Sequence, residues 1–185
     1  MECMLYFLLF LEILFITALL LTIVHNVMSL YGGFRFAPYV PTAQDRVEIM
    51  LRLARISPGK KVIELGSGDG RILIGAAKQG AQAIGFETDP YLVVKAKLFA
   101  KFHSVSDAVE FRCADIWKQT WPHDTEIVFV YGLPRFMGRV WEKACKELRP
   151  GTKIISNAFP VPGVTPIQTE GAVEVYEIPQ KNRLN

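Results

Sequence analysis

The feature that most constrains this chain is a buried-strand pattern that runs directly into three closely spaced glycines. Residues 62–65 read Val-Ile-Glu-Leu, and Gly66, Gly68 and Gly70 follow before a helical stretch over residues 71–79. A short apolar run that ends at glycine predicts a buried strand. Glycine tolerates positive φ and lets a ligand approach the backbone closely. The segment therefore predicts a strand, a tight turn and a helix start, as in a nucleotide-binding α/β unit.

The spacing within this turn discriminates between cofactors. The dinucleotide fingerprint requires a third glycine three positions after the second, but Arg71 occupies that position here. The carboxylates of Glu64 and Asp69 repel phosphates and suit a cationic ligand. S-adenosylmethionine, which carries a sulfonium and an ammonium group, is such a ligand. The turn therefore favours S-adenosylmethionine, with a nicotinamide cofactor as a distant alternative.

Two further acids follow the next two predicted strands. Residues 83–87 read as a second strand that ends in Glu87, where a Rossmann-like unit places a carboxylate on ribose hydroxyls. Residues 109–113 alternate as a third strand, and Asp115 and Ile116 come directly after it. This pair predicts an acid and an apolar side chain beside an adenine ring. The predicted strands thus end in acids at three successive places: at the glycine turn, at Glu87 and at Asp115. Together these acids form one coherent binding pattern.

These residues resemble the motifs of class I S-adenosylmethionine-dependent methyltransferases. A narrower resemblance, to the lysine methyltransferases of mitochondrial adenine nucleotide translocase and of the c subunit of ATP synthase, covers nearly all of residues 38 to 178. It is carried by residues 38–42, 66–71, 87 with 89–93, 116–118 and 159–162. The resemblance implies S-adenosyl-L-methionine as the cofactor, bound by Glu64, Gly66, Ser67, Gly68, Asp69, Gly70, Glu87, Thr88, Asp115 and Ile116.

The resemblance also implies that the acceptor is a lysine of a membrane protein. An amine must be neutral to accept a methyl group, and about 1 in 2500 lysine side chains is neutral at pH 7. A desolvating aromatic pocket lowers the lysine pKa. Candidate walls of this pocket are Tyr39, Tyr131 and Phe159. Oxygens of Thr42, Tyr131 and Asn157 are candidates to orient the amine.

Two positions differ from the family pattern in the segment expected to recognise the substrate. Gly163 stands where the family has a tryptophan, and Ala158 stands where it has a basic residue. Two alternatives to lysine methylation therefore stay open. One is a methyltransferase of a lipid-like or small-molecule substrate at the membrane, and the other is a non-catalytic membrane protein that binds the cofactor.

The amino terminus predicts a membrane anchor over residues 1–30. Of the 21 residues from position 4 to 24, 18 are apolar, the exceptions being Glu12, Thr17 and Thr22. As a helix this segment is roughly 31 Å long, which matches the core of a bilayer. The sequence has no basic residue before it, unlike a cleaved signal peptide, and Arg35 is the first basic residue after it. The charge bias predicts a single-pass protein with its large domain on the cytoplasmic or mitochondrial matrix side.

Charge and cysteine content limit the other partners. Residues 35–185 carry 21 basic and 16 acidic side chains, a mild excess that suits an anionic membrane surface. The basic residues are scattered rather than interleaved with aromatic ones along the sequence, which disfavours nucleic-acid binding. The three cysteines lack paired metal-ligand spacing, so the sequence predicts no metal site.

The chain is organised as an anchor, a linker with a motif over residues 31–42, and one domain over residues 43–185. The predicted fold class is α/β, a Rossmann-like methyltransferase sheet with helices on both faces, preceded by one transmembrane helix. Thr42 is predicted to cap the first helix of the domain, and no helix is expected over residues 158–171. The predicted helices cover residues 43–55, 71–79, 90–102 and 134–148, and the predicted strands residues 62–65, 83–87, 109–113, 126–131, 153–157 and 172–178.

Overall fold

A computed structural model describes residues 2–35 and 39–180 of the chain. The chain divides into two compact units, of which the first ends at Val40 and the second begins at Pro41. The first unit contains one helix, α1 (Glu2–Arg35). This helix passes through the Gly32-Gly33 pair, which lies in the predicted linker. Glycine lowers helix propensity without forbidding the helix.

The stretch Met4–Val24 of α1 has a mean hydropathy of 2.8, which makes it long and apolar enough to cross a membrane. A signal sequence near an amino terminus has the same properties. The threonines that interrupt the apolar run form hydrogen bonds within the helix. Thr17 Oγ1 donates to the carbonyl of Ile13 at 2.7 Å, and Thr22 Oγ1 donates to that of Ala18 at 2.8 Å. Their hydroxyl groups therefore need no water.

The second unit is built on a seven-stranded sheet, whose strands in chain order are β1 (Lys61–Leu65), β2 (Gln82–Glu87), β3 (Val109–Cys113), β4 (Ile127–Val130), β5 (Lys153–Asn157), β6 (Gln168–Glu170) and β7 (Val173–Glu177). Their order across the sheet is β3-β2-β1-β4-β5-β7-β6. The first five strands are parallel, and β7 is antiparallel to both of its neighbours. Strands β2 and β3 are added on one side of β1, and β4 and β5 on the other. The strand order therefore reverses between β1 and β4, and α/β proteins bind ligands at such a switch point.

Helices cover both faces of the sheet, as predicted. The helices α2 (Gln44–Ala54), α3 (Arg71–Lys78) and α4 (Pro90–Phe102) pack their apolar residues into a core on one face. The opposite face packs against α5 (Pro134–Glu147). Central strands supply both cores because successive side chains alternate between the faces, as Val128 and Phe129 do in β4.

The predicted cap at Thr42 is wrong. The residue that caps α2 is Ala43, and it makes no side-chain hydrogen bond to the helix. Thr42 is buried instead, and its backbone carbonyl accepts a 2.7 Å hydrogen bond from Arg71 Nη1. A tertiary contact to the start of α3 therefore fixes the position of Thr42.

The segment after β5 contains no helix over residues 158–171, as predicted. Two hydrogen bonds hold it against the sheet: Ser156 Oγ donates to the Phe159 carbonyl at 2.6 Å, and Val161 N donates to Tyr176 Oη at 2.9 Å. Burial raises the pKa of Tyr176 to about 12, so its hydroxyl stays protonated and donates to Glu174. The segment ends in the short strand β6, which the sequence did not predict.

Candidate active site

The glycine turn lies at the carboxyl end of β1, beside the end of β2. The backbone amides of Gly66 and Ser67 donate to the Phe86 carbonyl at 2.9 and 3.0 Å. Gly70 N donates to the Ser67 carbonyl at 2.8 Å and closes the turn. The φ angles of Gly66, Gly68 and Gly70 are +77°, +54° and +79°, values that favour glycine. The predicted strand, turn and helix start are all present.

Two of these glycines differ in their surroundings. A Cβ atom at Gly70 would lie 2.5 Å from Phe111 Cζ and 3.1 Å from the Ala96 side chain. A Cβ atom at Gly66 would have no heavy atom within 4 Å. Gly70 therefore allows close packing of α3, whereas Gly66 faces open space in which a ligand could approach the backbone.

Two buried polar atoms beside the turn have no hydrogen-bond partner among the described residues. They are Glu64 Oε2 and Ser67 Oγ. Burial raises the pKa of Glu64 well above its ordinary value, and the negative charges of Asp69 and Glu87 raise this pKa further. Leaving a buried polar group unpaired is costly. A ligand with a positive charge or hydrogen-bond donors would satisfy these atoms, so the residues present fit the predicted cofactor.

The raised pKa of Glu64 predicts a pH-dependent stability. The folded chain keeps the Glu64 proton at pH values where the unfolded chain has lost it, so this group destabilises the fold as pH rises above about 4.5. We expect Glu64→Gln to stabilise the ligand-free chain by about 1 to 3 kcal/mol at pH 8 and by much less at pH 5. Thermal unfolding in detergent at both pH values measures this difference, with the exposed Glu110→Gln as the matched control. A gain that is equal at both pH values would contradict the assignment.

Asp69 occupies the turn but does not present an unpaired carboxylate. Arg71 binds it through two hydrogen bonds, from Nε at 2.9 Å and from Nη2 at 2.7 Å. Lys95 Nζ lies 3.6 Å from the same carboxylate. Residues of α3 and α4 therefore partly balance the charge of Asp69, and its predicted role in binding the cofactor stays a prediction. Arg71 also bonds Thr42, so it ties the turn to the segment before α2.

Glu87 lies at the carboxyl end of β2 and spans the turn. Its Oε2 accepts from Gly68 N at 2.9 Å, and its Oε1 accepts from the backbone amides of Thr88 and Asp89 at 2.7 and 3.0 Å. Thr88 Oγ1 also donates to Oε1 at 3.3 Å, so the capacity for a further hydrogen bond is left at Oε2, which accepts only from Gly68 among the described residues. Glu87 therefore both organises the turn and has the chemistry to accept a hydrogen bond from a ligand hydroxyl group.

Asp115 and Ile116 follow β3, next to the end of β2. The backbone amide of Ala114 donates to the Glu87 carbonyl at 2.7 Å, which joins the ends of the two strands. Asp115 Oδ1 accepts from Trp117 N at 3.0 Å, and Ile116 packs against the core on the α5 face. The three predicted acids thus lie at neighbouring strand ends along one edge of the sheet.

The predicted acceptor residues lie at the ends of β4 and β5. The rings of Tyr131 and Phe159 stack with their centroids 6.1 Å apart and an angle of 22° between their planes. Asn157 is buried, and its Oδ1 accepts from Arg46 Nη1 at 3.3 Å. The next residue, Ala158, has a φ of +71°. Strained backbone of this kind often accompanies functional sites.

The remaining acceptor candidate, Tyr39, belongs to the amino-terminal unit, so its role stays a prediction. Its neighbour Pro38, part of the same predicted motif, lies outside the described residues. Arg71 and Arg46 are contacts that the sequence analysis did not identify. Arg71 is visible in the sequence only as the residue that breaks the dinucleotide pattern, and no local signal pairs Arg46 with a residue 111 positions away.

A cavity of about 730 Å³ lies at the opposite edge of the sheet, where its lining includes Lys61, Gln82 and Val109 at the amino ends of β1 to β3. Ligands of open α/β sheets bind outside the carboxyl ends of the strands. The glycine turn, the unpartnered buried atoms and all three acids lie at the carboxyl edge. We therefore place the candidate site at the carboxyl edge. The described residues contain no group of three or more His, Cys, Asp or Glu side chains that could hold a metal ion.

Comparison with known proteins places the second unit in a family. Residues 64–168 match the model of the ANTKMT methyltransferase domain. The lysine N-methyltransferase of the ATP synthase c subunit from Mus musculus is 37% identical over 134 residues, which are 72% of this chain and 53% of the relative. The adenine nucleotide translocase lysine N-methyltransferase of Mus musculus is 36% identical over 151 residues, or 78% of this chain and 65% of the relative. The chain thus spans between about half and two thirds of the length of these relatives.

Solved structures agree with this placement. An RNA methyltransferase from Salinibacter ruber in complex with S-adenosyl-L-homocysteine superposes with a TM-score of 0.74 at 36% identity, covering 77% of this chain and 95% of that protein. A methyltransferase from Geobacter sulfurreducens with the same ligand gives 0.56 at 27% identity, covering 63% of this chain and 48% of that one. The predicted fold and cofactor class are confirmed. The chain belongs to the family of the ANTKMT methyltransferase domain, within the S-adenosylmethionine-dependent methyltransferases.

Proposed function

We propose that this chain is a protein-lysine N-methyltransferase that uses S-adenosyl-L-methionine, is anchored in a membrane by α1 and acts on a membrane protein. The observation that carries the proposal is the carboxyl edge of the sheet, where Glu87 holds the glycine turn beside the unpartnered buried oxygens of Glu64 and Ser67. The names of the relatives, which are lysine N-methyltransferases, support lysine as the acceptor.

We assign each cofactor contact from the hydrogen-bonding capacity and polarity of the side chain that would make it. Glu87 would accept a hydrogen bond from a ribose hydroxyl at Oε2 while it keeps its bond to Gly68. Asp115 would accept the adenine amine, and Ile116 would contact the ring. The buried oxygens of Glu64 and Ser67 would face the polar amino-acid end. S-adenosylmethionine supplies an electrophilic methyl group on its sulfonium.

The residues at the ends of β4 and β5 would prepare the acceptor. In-line methyl transfer requires alignment of the nucleophile and exclusion of water more than proton chemistry on the methyl group. The stacked rings of Tyr131 and Phe159 offer an apolar wall that would lower the pKa of a lysine amine and favour its neutral form. Asn157 and Tyr131 carry oxygens that could orient that amine. Thr42 and Tyr39 stay candidates for the same task.

The membrane part of the proposal is supported by the apolar stretch of α1 and by the resemblance, which implies a membrane-protein substrate. An anchor would confine the enzyme to the surface where such a substrate lies, which raises its effective concentration. The first basic residues after the apolar stretch Met4–Val24 are Arg35, Arg46 and Arg52, and this basic flank supports a catalytic domain on the cytoplasmic or mitochondrial matrix side.

RNA is a second candidate acceptor. The Salinibacter relative is named an RNA methyltransferase, and this chain covers 95% of it. In the present structure Arg139 Cζ lies 4.1 Å from the centre of the half-buried Trp117 ring, so a basic and an aromatic side chain that are separate in the sequence come together beside α5. Such pairs contribute to single-stranded RNA binding in other proteins.

One labelling experiment separates these acceptors. The full-length chain is incubated with radiolabelled S-adenosylmethionine and with membranes, RNA and soluble protein from its own source, and Glu87→Ala serves as the inactive control. We expect label in a membrane protein, lost with Glu87→Ala. Label in RNA would favour the second candidate, and label in lipid or small molecules would favour the alternative membrane substrate. Cofactor binding without any label would indicate a non-catalytic protein.

A further inference from the structure

The outward face of α4 carries an apolar stripe of four large side chains at helical spacing, which we call the α4 stripe. Its members and their exposed fractions are Tyr91 at 60%, Val94 at 57%, Leu98 at 61% and Phe102 at 82%. Phe99, 42% exposed, lies at its edge. A single exposed apolar residue is ordinary, but a contiguous stripe of this kind usually marks an interaction surface.

The α4 stripe is separate from the face by which α4 joins the domain. The buried residues of the helix are Leu92, Val93, Ala96 and Ala100, and the last three pack into the core with α2 and α3. The helix is therefore apolar on both its inward and outward sides. A surface helix of a soluble domain normally has a polar outward face, and an apolar one needs a covering partner.

Lysines border the α4 stripe on both sides. Lys97 and Lys101 follow one side at a spacing of four residues, and both are exposed. Lys95 lies on the other side, where its Nζ is 5.3 Å from the centre of the Phe99 ring. Among the acids, Asp69 lies 3.6 Å from Lys95, and Glu110 interacts with Lys97. The border is predominantly positive, and aromatic residues lie within it.

We propose that the α4 stripe is a membrane-contact surface that inserts into the interface of a bilayer containing anionic lipids. This inference rests on the proposed membrane anchoring of the chain. An exposed apolar stripe with aromatic residues and a lysine border has the composition of helices that lie in the bilayer interface. The lysines complement anionic headgroups, whereas an apolar protein surface offers them no partner. An anchor would keep the domain tethered to the bilayer surface.

Contact at α4 would also orient the catalytic edge. The helix begins directly after Asp89, whose backbone amide donates to Glu87 at 3.0 Å. Lys95 of the same helix contacts Asp69 in the glycine turn. A bilayer that holds α4 would therefore hold the carboxyl edge of the sheet at a fixed height above the membrane, where a membrane-protein lysine has to enter.

Photocrosslinking of lipid tests this inference. The photoreactive residue p-benzoylphenylalanine replaces Phe102 in the full-length chain, which is reconstituted into nanodiscs with radiolabelled phospholipid. The matched control carries the same residue in place of Glu142, an exposed position of α5 on the other face of the sheet. We expect lipid label several-fold higher at position 102. In nanodiscs with anionic lipid, Lys97→Glu and Lys101→Glu should each lower the lipid label at position 102 about fivefold. In nanodiscs with neutral lipid, neither substitution should change this label.

The possible failures are distinguishable, because the readout does not depend on methyl transfer. Equal lipid labelling at positions 102 and 142 would overturn the membrane contact alone. Label that joins position 102 to a second protein chain instead of lipid would also overturn it, since protein would then cover the α4 stripe. A full-length chain that does not enter the nanodiscs would overturn both this inference and the proposed anchoring.

Discussion

An alanine in place of Glu87 is expected to weaken binding of S-adenosyl-L-homocysteine by about tenfold to a hundredfold, because a hydrogen bond to a carboxylate contributes about 1.5 to 3 kcal/mol. The same change removes the acceptor that holds Gly68 N at 2.9 Å, so the glycine turn also loses its support. Isothermal titration calorimetry of the full-length chain in detergent measures the loss directly.

The control for this prediction is Glu110→Ala. Glu110 is a carboxylate on the neighbouring strand β3, it is exposed, and Arg112 pairs with it at 2.7 Å. Its removal should leave the affinity for S-adenosylhomocysteine unchanged. If Glu87→Ala bound the ligand as tightly as Glu110→Ala, Glu87 would have no role in the cofactor site. Thermal unfolding of both variants without ligand separates a lost contact from a lost fold.

The second large effect is expected at Gly70, where alanine should lower the free energy of unfolding by about 2 to 5 kcal/mol. Two costs contribute. The φ of +79° disfavours any residue with a Cβ atom, and that atom would lie 2.5 Å from Phe111 Cζ inside the core. Because Phe111 is buried against α3 and α4, it cannot move aside without opening a cavity. Urea unfolding followed by tryptophan fluorescence gives the value.

Two other glycines provide matched controls for Gly70→Ala. Gly59 has a φ of +83° and open space around its Cβ position, so Gly59→Ala should cost only the backbone strain, about 1 to 2 kcal/mol. Gly66 has the same open surroundings but lies in the turn. Gly66→Ala should therefore match Gly59→Ala in stability and lose affinity for the cofactor. Equal destabilisation by all three variants would contradict the packing role of Gly70.

The parts of the fold that the sequence predicted are those whose signals are local. The apolar run at residues 62–65, the turn glycines and the acid Glu87 all lie within or next to one element, so their positions follow from strand and turn chemistry. The central strands β1 and β4 are buried on both faces and contain short apolar runs. The missing helix after β5 was likewise predicted from prolines and glycines. These signals were sufficient to place three acids along one edge of the sheet.

The errors arise where tertiary contacts decide the structure. Thr42 resembles a helix cap, but its burial and its carbonyl bond to Arg71 shift the cap to Ala43. Asp69 resembles an open carboxylate, but Lys95 of α4 lies 3.6 Å from it, in addition to the local ion pair with Arg71. The strand β6 has only three residues, and it pairs with β7 through the two-residue turn at Gly171 and Ala172. Its Gln-Thr-Glu sequence has no apolar alternation that predicts a strand.

The measurement that tests the central claim most directly identifies the methylated atom. Membrane proteins labelled by the full-length chain with radiolabelled S-adenosylmethionine are hydrolysed to amino acids and separated against methylated standards. The proposed function predicts that the label elutes as methylated lysine, and that Glu87→Ala abolishes it. Label recovered in any other amino acid, or only in nucleosides or lipid, would contradict lysine methylation while leaving the fold and family intact.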